Sequence, residues 1–119
     1  MNSPRKILLI DNGPDRKERI KALSEHGYTV FPALKMEEAR SRCMRGGYDL
    51  IVVHAGEKKE QALAFCEELR AQCPKQPLLM TGGTPGDRDY AVPAGLQSLL
   101  QRVDETLPGE AGSDLASAA

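Results

Sequence analysis

The chain has 119 residues, 40% of them hydrophobic and 28% charged, with a formal net charge of −1. That composition suits one soluble domain whose single core needs no disulfide or metal staple, and it lacks the strong basicity of a general nucleic-acid binder. The longest apolar runs, Ile7 to Ile10 and Leu50 to Val53, are far short of a membrane span or a signal-peptide core, so a cytoplasmic protein is expected, with neither nucleic acid nor membrane as partner.

Lys6 to Ile10 (KILLI) is a short aliphatic run closed by Asp-Asn-Gly-Pro, which predicts a strand buried on both faces. A helix follows, with Pro14 at its first position, Asp15 in its first turn, Ile20 and Leu23 inward, and a stop at Gly27. Tyr28 to Phe31 predicts a second strand, and Met36 to Arg45 a second helix with Met36, Ala39 and Cys43 inward and Gly46-Gly47 as its end. Leu50 to Val53 predicts a third strand, and Glu60 to Gln72 a helix with Leu63, Cys66 and Leu69 on one stripe. Leu78 to Met80 forms a fourth strand ending at Thr81, and the Gly-rich loop from Gly82 to Gly86 leads to a weak fifth strand at Tyr90 to Val92. Leu96, Leu99, Leu100, Val103 and Leu107 then mark an amphipathic last helix. Residues 1–107 make one domain, and 108–119, small and polar without periodicity, are expected to be a disordered tail. Cys43, Cys66 and Cys73, odd in number and without metal spacing, read as reduced packing residues, and Met36, Met44 and Met80 as core or near-core fillers.

Apolar strands alternating with helices imply an α/β, three-layer α/β/α sandwich around a five-stranded parallel sheet, in the flavodoxin-like order 2-1-3-4-5. In that order the crevice opens at the C-terminal ends of the strands, beside Asp11, Asn12, His54 and Thr81.

With KILLIDNGPDRKERIKALSEHGYTV, YDLIVVHAG, ALAFCEELR and PLLMTGG in place, the chain resembles the receiver domains of response regulators, the CheY-like superfamily of bacterial two-component signalling, over about residues 5–107. The resemblance implies two acids after the first strand, a phosphoacceptor Asp after the third, a Thr or Ser after the fourth and a Lys-Pro pair after the fifth. The acids hold Mg²⁺ through oxygen, and the metal and the lysine neutralise the transferring phosphoryl group. This chain keeps Asp11 and Thr81, but has Asn12 for the second acid, His54 for the phosphoacceptor, and Val92 before Pro93, where the lysine is replaced or deleted. The eleven residues between Thr81 and Pro93 are too few and too rich in Gly and Pro for the family's fourth helix, which is expected to be missing or shortened.

Asp11, Asn12, His54, Thr81 and Val92 therefore read as a degenerate phosphoacceptor pocket of a pseudo-receiver, with no catalytic residue, metal or cofactor expected. His54 invites a phosphohistidine or a transition-metal site shared with Asp11; the plainer reading is an imidazole at a strand end, hydrogen-bonded to Asp11 or Thr81. The Gly-rich loop lacks the lysine of a phosphate-binding loop and reads as a plain connection. The expected function is a phosphorylation-independent protein-interaction module whose partner is a signalling kinase, a scaffold, an output protein or a second copy. The alternative is a small-ligand-binding or enzymatic flavodoxin-like domain using the crevice. The candidate interaction surface takes Arg16 and Arg19 from the first helix, with Tyr90 and Arg102 on the side of the last two strands, which a lost fourth helix would uncover.

Overall fold

In the computed structural model the described residues are 4–82 and 88–107. The elements run β1 (Lys6–Ile10), α1 (Arg16–Glu25), β2 (Thr29–Ala33), α2 (Met36–Arg45), β3 (Leu50–His54), α3 (Lys59–Gln72), β4 (Leu78–Thr81), β5 (Ala91–Val92) and α4 (Leu96–Thr106). The strands form one parallel sheet in the order β2-β1-β3-β4-β5. The central strands are aliphatic throughout because helices cover both faces. Pro32, which donates no hydrogen bond, is accommodated because β2 is an edge strand.

Side chains alternate between two cores. Leu8, Ile10, Ile51, Val53, Leu78 and Met80 pack against α2 and α3, while Ile7, Leu9, Leu50, Val52, Leu79 and Val92 pack against α1 and α4. The stripe on α4 forms as its spacing predicts, with Leu99 and Val103 fully buried and Leu100 nearly so. On α1 only Leu23 is fully buried. That face is tied down further by Tyr28, whose buried ring carries a hydroxyl donating to Asp104 of α4 at 2.6 Å. Gly46 ends α2 at φ 75°, a conformation that a residue with a Cβ adopts only under strain.

Several local expectations are corrected. Helix α1 begins at Arg16, so Pro14 lies before it and Asp15 is its N-cap, without a side-chain capping bond. The buried stripe of α3 is Ala62, Phe65, Cys66 and Leu69, with Leu63 only partly buried. Met44 is 54% exposed, whereas Met80 is buried and Met36 partly so. Cys43 and Cys66 are buried free thiols whose pKa values burial pushes up to about 11 and about 12, which suits inert packing groups.

Four helices flank the sheet among the described residues; residues 83–87, on which the expectation of a missing or shortened helix falls, lie outside the described residues, as does the tail at 108–119. The open flank expected at β4 and β5 is not found. Leu78, Met80, Tyr90 and Ala91 are all under 9% exposed, and the exposed large hydrophobics among the described residues are Leu34 and Met44. Helix α3 screens this flank with charge: Glu67 accepts a hydrogen bond from the Tyr90 hydroxyl, and the Arg70 guanidinium stands 5.3 Å from the centre of the Tyr90 ring. Among the described residues no helix is long and apolar enough to cross a membrane.

Candidate functional site

Strand register assembles the site. His54 pairs with Thr81, Thr81 pairs with Val92, and Asp11 follows the Ile10–Val53 pair, so Asp11, His54, Thr81 and Val92 stand in one row across the C-terminal end of the sheet. Asp11 and Thr81 are 1% and 2% exposed, and Val92 is fully buried beneath α4. The row thus ends in an apolar side chain with no ammonium. Asn12, one residue past the row, is exposed.

The cation of this site comes from α1. Arg19 grips the Asp11 carboxylate with two hydrogen bonds, Nε to Oδ2 and Nη2 to Oδ1, the latter 3.0 Å long. The side chains of Arg19 and Asp11 are 12% and 0% exposed. Asp11 Oδ1 also accepts the Gly13 N–H at 2.8 Å, which turns the chain from β1 toward α1. Arg19 is therefore removed from the interaction surface assigned to it: a fork-shaped guanidinium matches a buried carboxylate better than it matches water. Tyr90 is removed as well, since it is 3% exposed and its hydroxyl is held by Glu67. Arg16 and Arg102 remain partly exposed, and Arg102 donates to the Asp89 carbonyl at 2.8 Å.

His54 is not hydrogen-bonded to Asp11 or Thr81 as expected. Its Nδ1 is buried without a partner among the described residues, because Arg19 and Gly13 already engage the neighbouring carboxylate. The ring lies between two glycines: a Cβ on Gly13 would sit 3.3 Å from its Cδ2, and one on Gly56 would sit 3.6 Å from both Cδ2 and Nε2. Burial, and then the adjacent Arg19 charge, hold its pKa below the ordinary 6.5, against smaller opposing effects of Asp11 and Asp15. The folded state keeps the imidazole neutral where the unfolded chain already binds a proton. Its contribution to stability is therefore complete above the unfolded value and is lost as pH falls from there toward the folded value. A His54→Gln variant is expected to flatten the stability–pH curve just below the ordinary imidazole value of 6.5, measured by urea unfolding. An unchanged slope would show that the ring is already hydrated in the fold.

Mg²⁺ does not fit this site. It prefers a near-octahedral set of oxygens, whereas the row offers one carboxylate, already taken by Arg19, with an imidazole beside it. Among the described residues no three His, Cys, Asp or Glu side chains are grouped so as to hold a metal ion. A concavity of about 800 Å³, lined by Arg5, Tyr48, Asp49, Pro77 and Leu107 among others, contains no residue of the row; Arg5, Asp49 and Pro77 adjoin the N-terminal ends of β1, β3 and β4.

Two of these features were accessible to sequence reasoning only in part. The row follows from strand–helix alternation, but the partner of Asp11 is eight residues on, in a charge run that reads as solvated. No local pattern marks that partner in the sequence; the structure shows it in the crowding at Gly13, where a Cβ would meet Arg19 Nη2 at 2.9 Å and Asp11 Oδ1 at 3.2 Å.

No protein-family model matches the chain, and no curated protein is significantly similar to it. Solved structures are. The response regulator TrrA of Thermotoga maritima, in complex with Mg²⁺ and BeF, shares 22% identity over 87% of this chain and 99% of that one, with a TM-score of 0.72. TrrA has also been solved in complex with the histidine kinase ThkA, at 21% identity over 87% and 98% of the two chains and a TM-score of 0.72. An orphan response regulator of H. pylori shares 16% identity over 90% and 99%, with a TM-score of 0.70. Together with the sheet order and the four flanking helices, these likenesses establish that the chain has the CheY-like fold of response-regulator receiver domains.

Proposed function

We propose that the chain is a pseudo-receiver, a cytoplasmic protein-interaction module of two-component-type signalling that works without phosphorylation and without enzymatic activity. The observation that carries this reading is the row itself. At the position in register with Thr81, where the family resemblance implies the phosphoacceptor carboxylate, stands His54, and the remaining carboxylate is neutralised by Arg19. No acid of the row is free to accept a phosphoryl group, and Val92 supplies no charge to balance one. A partner for such a module is another signalling protein, as the histidine kinase is for TrrA. Its contact with this chain would be polar, since β4 and β5 present no large apolar surface among the described residues. Arg16, Lys17 and Lys21 on α1 offer the charge for it, which sets partner choice and association rate more than affinity.

Intact-mass spectrometry after incubation with acetyl phosphate is the test. The unmodified mass is expected alone; a stable phosphorylated species that disappears in His54→Ala would overturn the proposal. For the contact surface, Lys17→Glu with Lys21→Glu is expected to weaken partner binding while His54→Ala leaves it intact. The reverse pattern would place binding in the row.

A further inference from the structure

We propose that the cation site of the row is filled permanently by the chain's own Arg19, so that the guanidinium excludes a divalent ion independently of the missing acids. The inference rests on reading the row as a degenerate phosphoryl pocket and adds what occupies it. Two changes separate this site from one that binds Mg²⁺: the acids at positions 12 and 54 are absent, and Asp11 has an internal partner. The usual account would assign the loss of metal to the first alone.

Geometry assigns it to the second as well. Both Asp11 oxygens accept from Arg19, and Oδ1 accepts from Gly13 too. An incoming cation would have to displace a like charge from a carboxylate that is fully buried. Arg19 is attached to α1, so its binding to Asp11 is intramolecular and independent of ion concentration.

The test restores the acids with and without Arg19. Mn²⁺ binding, followed by electron paramagnetic resonance, is measured on the unmodified chain, on Asn12→Asp/His54→Asp, and on Asn12→Asp/His54→Asp/Arg19→Met, methionine retaining an apolar stem. The triple variant is expected to bind Mn²⁺ about tenfold or more tightly than the double variant. Equal affinity of the two, whether both bind or neither does, would overturn the inference. Three carboxylates with no cation make the triple variant prone to unfolding, so circular dichroism is recorded with and without Mn²⁺. Helical signal regained on adding the ion supports the inference, and a triple variant unfolded under both conditions while the double variant binds Mn²⁺ overturns it. The phosphorylation test uses the unmodified chain, so failure of either reading is seen separately.

Discussion

Arg19→Ala is expected to destabilise the fold by about 3–5 kcal/mol, the usual cost of removing one partner of a buried ion pair. The Asp11 side chain is fully buried and would retain one hydrogen bond, from Gly13. A carboxylate in that position is left buried without its counterion, which costs folding free energy. Urea unfolding at neutral pH measures it. Replacing the pair together, Asp11→Asn with Arg19→Met, is expected to cost less than Arg19→Ala alone, because no charge is stranded. A loss under about 1 kcal/mol for Arg19→Ala would place the pair among solvent-screened surface bridges.

Leu99→Ala is expected to cost about 2–5 kcal/mol, from lost transfer energy plus the cavity that remains. Leu99 is fully buried on the central stripe of α4, in the core that also holds Leu9, Val52 and Val92. That stripe attaches α4 to the sheet and covers Val92 at the end of the row, so the substitution is felt at the site as well. Met44→Ala, at a residue 54% exposed on α2, is the control and is expected to stay within about 0.5 kcal/mol of the unmodified chain. Similar losses for the two would mean that α4 packs loosely and that its apolar spacing misrepresents its role.

How far the sequence carries is visible in particular residues. Short aliphatic runs such as KILLI and LIVV, bounded by turn residues and alternating with helical segments, read as buried strands of a covered sheet, and right-handed crossovers leave few ways to order them, so the sheet and its row of strand-end residues were legible. The stripe of α4 was legible because five apolar positions, Leu96, Leu99, Leu100, Val103 and Leu107, repeat at helical spacing with polar residues between them. Helix α3 was read correctly at Cys66 and Leu69 but not at Ala62 and Phe65, which take the inward face ahead of Leu63, because the rotation of a helix on its sheet is a tertiary property.

The chemistry of the site divides in the same way. The sequence by itself determined which groups are missing, because His54, Asn12 and Val92 cannot supply the oxygens and the ammonium whatever the fold does with them. Only the tertiary structure decided where the remaining charges go. Arg16, Lys17, Arg19 and Lys21 look alike along the chain, and the packing of α1 on the sheet brings Arg19 to Asp11 while Lys17 and Lys21 stay exposed. Tyr90 was decided likewise: its hydroxyl meets Glu67 across 23 residues, a pairing that no local pattern encodes, because hydrogen bonds between distant segments depend on how packed helices and strands are set against each other.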